Sequence, residues 1–157
     1  MQIIFYVILA LLGLGGLTYY RARTIQRPDN VNNGSIKPCP ATPNCVSTLD
    51  TDETHAIAPI TYAGSLDAAR AQLVTVLRGL PKTEVITEEP TYVYAESRSP
   101  TMGFPDDLEF VFDDDAKHIQ LRSAARMGKG DLGKNRERIE EIRRRFAQLE
   151  SQSAHAV

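Results

Sequence analysis

Tryptophan is absent from this 157-residue chain, which removes any Trp stacking platform and any Trp anchor at a membrane interface. A basic excess is missing as well. Lys and Arg number 18 against 20 Asp and Glu, giving a formal charge of −2, without the electrostatic footprint of a nucleic-acid binder. Nothing repeats at the period of a solenoid. The two cysteines with a distant His55 form an incomplete ligand set, so neither a metal nor a cofactor is expected. No nucleophile motif surrounds Cys45 or His55.

What is present begins with Ile3 to Tyr20, "IIFYVILALLGLGGLTYY", eighteen residues without a charge. As a helix it would be roughly 27 Å long, close to the hydrocarbon thickness of a bilayer. It lacks the polar face of a globular core helix. No Lys or Arg precedes the run, and neither an A-x-A-like site nor a cysteine follows it. Residues 1–22 are therefore expected to be an uncleaved single-pass membrane anchor, with the lipid bilayer as the partner of Ile3 to Tyr20. Arg21, Arg23 and Arg27 follow the span and argue for a cytoplasmic domain by the positive-inside rule. The cysteines argue for the other side.

Residues 23–54 read as a tether rich in Pro, Asn, Asp and Gly. Asn33-Gly34-Ser35 matches a glycosylation acceptor, but Asn-Gly is also a turn, the preferred reading. Cys39 and Cys45 are the only cysteines, and Pro40 and Pro43 stiffen the loop between them. A disulfide there would be worth about 2 kcal/mol on the chain-entropy model, and it needs an oxidising compartment. Inert thiols, a metal site or a catalytic Cys45–His55 pair stay open as alternatives.

Residues 55–150 carry the pattern of a folded domain, with 151–157 as a disordered tail. "HAIAPITY" reads as a first strand. Ser65 caps a helix with Leu66, Ala69, Leu73, Val76, Leu77 and Leu80 on one face, stopped by Gly79 and Pro81. Four strand candidates follow: "TEVITEE", "TYVYAESRS", "DLEFVFDD" and "HIQLRSAAR". Val93 and Ala95, then Leu108, Phe110 and Phe112, then Ile119, Leu121 and Ser123 mark the core side. The opposite side carries Tyr92, Tyr94, Glu96, Arg98, Glu109, Val111, Gln120 and Arg122, a polar face with aromatic interruptions. A final helix from about Leu132 to Leu149 has Leu132, Ile139, Ile142, Phe146 and Leu149 as its apolar stripe. Glu140–Arg144 and Glu141–Arg145 are favourable pairs on its outside. The expected fold is two-layer α+β: an antiparallel sheet of about five strands covered by two helices, in the order β-α-β-β-β-β-α.

"GKGDLGK", Gly128 to Lys134, has the glycine and lysine spacing of a phosphate loop. The reading fails. Asn135 stands where Ser or Thr would hold magnesium, no strand follows, and the strands before it are antiparallel. The loop is better explained as a strand-to-helix turn with Asp131 as N-cap. Its basic residues still form a candidate anion site at a helix N-terminus: Arg122, Arg126, Lys129, Asn135 and Arg136. Internal ion pairing with Glu96, Asp106, Asp107 and Glu109 is the competing use of the arginines.

The stretches "CPATPNCVST", "HAIAPITY", "GFPDDLEF" and "RSAARMGKGDLGKNRERIEEIRRRF" together resemble the bacterial and plastid family known as Domain of Unknown Function 1499, over about Cys39 to Leu149. The last block is similar to the family's serine-arginine, glycine, Asp-Leu-Gly, Asn-Arg signature, with Ala125 where a serine is expected. The resemblance implies no reaction and no catalytic residues. It implies that Asn135 belongs to the family pattern. Since members often carry an N-terminal signal or anchor, it also implies an extracytoplasmic domain.

Two functions compete. One is a membrane-anchored binding or accessory module for an anionic ligand, a lipid headgroup or a partner protein. The other is a hydrolase at the membrane surface using Asp106, Asp107 and Glu109 as general acid and base. Adjacent Asp106 and Asp107 side chains diverge in an extended strand, which weighs against the second.

Overall fold

A computed structural model describes residues 2–28 and 34–155, with side chains for all of these except 5, 18, 19, 21–24, 154 and 155. Helix α1 spans Gln2–Thr24. Its described apolar side chains are exposed, Ile3 at 80% and Leu12 at 68% among them. Among the described residues no helix is long and apolar enough to cross a membrane. The described residues therefore do not by themselves make the anchor expected from Ile3 to Tyr20. Asn33 of the glycosylation-type triplet also lies outside the described residues. Gly34 beside it has φ +79°, in the left-handed region.

The sheet has six strands rather than five. They are β1 (Cys45–Ser47), β2 (Ile60–Thr61), β3 (Thr83–Glu88), β4 (Tyr92–Arg98), β5 (Pro105–Asp113) and β6 (His118–Ala125). The order is β1-β6-β5-β4-β3, every pair antiparallel. β2 also pairs with β6, so β1 and β2 share one flank of that strand: β1 opposite Arg122 to Ala124 and β2 opposite His118 and Ile119. The expected first strand survives only as two residues. The missed strand, β1, lay inside the expected tether. Its three residues are all buried, so it shows no alternation to read.

Helices α2 (Leu66–Arg78) and α3 (Lys134–His155) cover one face. Ser65 caps α2 by accepting from the Ala68 amide at 3.2 Å. The core joins Leu73, Val76 and Leu77 of α2, Val93 and Ala95 of β4, and Leu108, Phe110 and Phe112 of β5. Ile119 and Leu121 of β6 complete it with Ile139, Ile142 and Phe146 of α3. The expected core positions are therefore correct except one: Leu132 is 98% exposed and precedes the helix.

Helix α3 outruns the expected end near Leu149. The Ser153 hydroxyl donates to the Leu149 carbonyl and accepts from Gln72 Nε2 of α2, ties that keep helical a segment expected to be a disordered tail. Outside α3, Glu141 pairs with both Arg144 and Arg145. Glu140 takes Arg143 instead of Arg144, at i,i+3 spacing.

Candidate functional site

On the face away from the helices, the side chains read as a polar face are buried. Tyr92, Tyr94, Glu96, Asp107 and Glu109 are each 6% exposed or less. Antiparallel register sets Glu96 opposite Asp107 and Glu109 opposite Arg122. Two carboxylates facing each other in a sheet repel, and the structure answers with a guanidinium laid across both. Arg126 Nη2 reaches Asp107 at 2.5 Å, Glu96 at 2.7 Å and the Tyr94 hydroxyl at 2.8 Å. Tyr94 donates to Asp107 at 2.6 Å and Tyr92 to Glu109 at 3.0 Å. Arg122 closes on Glu109 at 3.1 Å, while Arg98 and Arg27 reach Glu96 at 2.5 and 3.6 Å. Tyr92 and Tyr94 pack with Ile86 and Val111, which helps keep water from these groups.

The same burial acts differently on the acids. Burial pushes Glu96 up, but Arg126, Arg98 and Arg27 outweigh it and hold the carboxyl below its usual range. Burial wins at Glu109, where Arg122 and Tyr92 only partly offset it, so its pKa is raised. Asp106 is also raised by burial, against the opposing pull of Arg138. A carboxylate with a raised folded pKa contributes stability fully below its unfolded value, near 4.5 for Glu, and loses it as pH rises through the folded value. We therefore expect the stability difference between the natural chain and Glu109→Gln to favour the natural chain more at about pH 4, below the unfolded value, than at about pH 8. Urea unfolding of both proteins at the two pH values measures it. An unchanged or reversed difference removes the assignment. Asp106 cancels in this comparison because both proteins contain it.

The five candidate anion residues do not converge. Arg122 and Arg126 are spent on the outer-face acids. Asn135, wholly buried, donates from Nδ2 to the Asn44 carbonyl at 3.0 Å and to Asp131 at 2.8 Å, and accepts from Ser123 and Arg138. Arg136 donates to the Thr54 and Ala56 carbonyls at 3.1 and 2.9 Å. Only Lys129 projects into solvent. The amides at the start of α3 are already served by Asp131, whose carboxylate accepts from Gly133 and Asn135 at 3.0 and 2.7 Å. Asp131 thus serves a first-turn amide as expected, but the helix begins two residues later than expected and Gly133, whose carbonyl accepts from Glu137, holds the N-cap position.

Asp106 and Asp107 diverge as the strand geometry demands. Asp106 meets Arg138 of α3 at 2.6 Å on the helix side, and Asp107 meets Arg126 on the other. The sulfurs of Cys39 and Cys45 stand 2.04 Å apart, at disulfide distance, with Cα atoms separated by 5.7 Å. That withdraws both thiols from any metal or catalytic role. His55 bonds instead to Asp52 and to the Thr42 carbonyl.

The outer face opens at one end. Ile25, Gln26 and Arg27, just past α1, line a cleft with Glu96, Arg98 and Arg126. Through Glu96 and Arg98 it adjoins a wider cleft of about 650 Å³ bounded by Lys82, Thr83, Glu84, Thr101 and Gly103. Reading the sequence missed this site because Lys82 and Arg98 approach only through the pairing of β3 with β4, and Arg27 sits far off in the tether. Asn44 was missed as well. Its side chain donates to the Gly128 carbonyl at 2.9 Å, and only the fold brings it beside Asn135.

No curated protein matches the chain. A scan against protein families matches residues 35–146, from the ordered end of the tether to Phe146 of α3. That stretch holds all six strands, the disulfide-distance cysteine pair, and the buried Asn135 and Arg126. The chain belongs to the family described as a protein of unknown function, DUF1499.

Proposed function

We propose that this protein is a membrane-anchored, non-catalytic binding module whose ligand is an anion met close to where the chain leaves α1. One observation carries the reading: the residues directly after the apolar helix share a cleft with Arg98 and Arg126 of the outer face. Arg27, Lys82 and Arg98 supply positive charge at its rim, and Glu96 beneath them is already neutralised by Arg126. Two features support the anchor: the uncharged run Ile3 to Tyr20, and the apolar surface that α1 leaves uncovered. The cysteine pair at disulfide distance supports an extracytoplasmic domain. The geometry does not favour a hydrolase. Its candidate carboxylates lie on opposite faces and are paired with arginine or tyrosine.

The test is a titration of the full chain in phosphatidylcholine nanodiscs with glycerol phosphate and, separately, inorganic phosphate, followed by NMR of the arginine side chains. We expect saturable shifts at Arg27 and Arg98 at millimolar ligand, weakened about tenfold or more by Lys82→Glu, since reversing one charge at a partly desolvated site is worth at least 1.4 kcal/mol. Shifts that stay linear with concentration and ignore Lys82→Glu would dispose of the anion site.

A further inference from the structure

The loop joining β6 to α3 presents a leucine to solvent where burial was expected. Leu132 is 98% exposed and has φ +56°, in the left-handed region that side chains with a Cβ usually avoid. Hydrogen bonds tie the loop on both sides of it. Asp131 accepts from the Gly133 and Asn135 amides on one side of Leu132, and Asn44 holds the Gly128 carbonyl on the other. Met127 in the same loop is 38% exposed. Lys129 is exposed, with no hydrogen bond or ion pair among the described residues. A backbone held in a sparsely populated region that turns an apolar side chain outward marks a candidate functional contact.

The position of the loop indicates with what. Arg126, the residue before Met127, lines the cleft shared with Ile25, Gln26 and Arg27, so the loop starts where the chain leaves α1. We propose that loop 127–133 is a second contact with the bilayer, in which Leu132 and Met127 enter the interfacial region and Lys129 meets an anionic headgroup. The proposal rests on the anchor reading of α1. Together the two contacts fix the orientation of the domain and hold the cleft against the lipid surface.

The absence of Trp allows a direct test. Leu132→Trp places a single indole at the tip of the loop, at a position open enough to accept it. The full chain is reconstituted in phosphatidylcholine vesicles with and without phosphatidylglycerol, then floated, and the Trp emission is read with lipids brominated near the headgroup. Asp115→Trp is the control, because the β5–β6 turn lies at the far end of β6, roughly 25 Å from Arg126. We expect blue-shifted, bromine-quenched emission at position 132 and water-like emission at 115. Lys129→Gln should shift the docked-to-undocked ratio about fivefold, and only with phosphatidylglycerol present. Flotation with water-like emission at 132, or equal quenching at both positions, overturns the loop contact and leaves the anchor standing. A chain that does not float overturns both.

Discussion

Arg126→Ala should lower the unfolding free energy by about 3–5 kcal/mol, because it strands the buried Asp107 carboxylate and takes from Glu96 one of its three guanidinium partners. The guanidinium is 2% exposed and binds Asp107 and Glu96, themselves 3% and 7% exposed as side chains. Burial alone would favour its deprotonation, but Asp107 and Glu96 hold it firmly charged. The intact network adds far less net stability than its rupture removes, since desolvation of its charges offsets most of their attraction. Arg126→Met combined with Asp107→Leu should accordingly recover part of the loss, leaving Glu96 with Arg98 and Arg27. Urea denaturation of the single and double variants decides the matter. A single-variant loss below about 1 kcal/mol would mean that water reaches the face and screens it like an ordinary surface pair.

Asn135→Leu comes next, at about 2–4 kcal/mol, by stranding buried partners at roughly 1–3 kcal/mol each. The amide joins the start of α3 to β6 through Ser123, to the approach to β1 through Asn44, and to Arg138, which itself holds Asp106. Its loss removes one tie each to β1 and to loop 127–133, so amide exchange in the loop should accelerate before global unfolding does. Asn135→Asp should not rescue the variant at neutral pH, because it sets a second carboxylate against Asp131. If exchange in the loop is unchanged while stability falls, the cross-link between loop and sheet is not what Asn135 provides.

Legibility in the sequence followed the kind of signal each element carries. β5 and β6 were readable because Leu108, Phe110 and Phe112, then Ile119 and Leu121, recur at every second residue. α2 was readable from its apolar spacing and its Ser65 cap. β1 was not, since three consecutive buried residues show no period and its pairing with β6 is long-range. Leu132 misled because it falls in phase with Ile139 and Ile142 by helical spacing, whereas the positive φ at Leu132 and Gly133 delays the helix to Lys134. The Arg122 and Arg126 pattern allowed both internal pairing, the favoured reading, and an anion site. Proximity to Glu96, Asp107 and Glu109, which is set by strand register, separated the two.

By itself the sequence determined the α+β class, the antiparallel order of the last four strands, the apolar face under the helices and the family. All of these depend on local periodicity, turn residues and short-range spacing. Only the tertiary structure decided that the polar sheet face is buried and ion-paired, that Asn135 is a buried cross-link, and that the cleft lies beside the exit from α1. Those outcomes depend on which distant residues meet across strands, and on whether a charge meets an opposite charge or water. Neither is encoded in any single stretch of the chain.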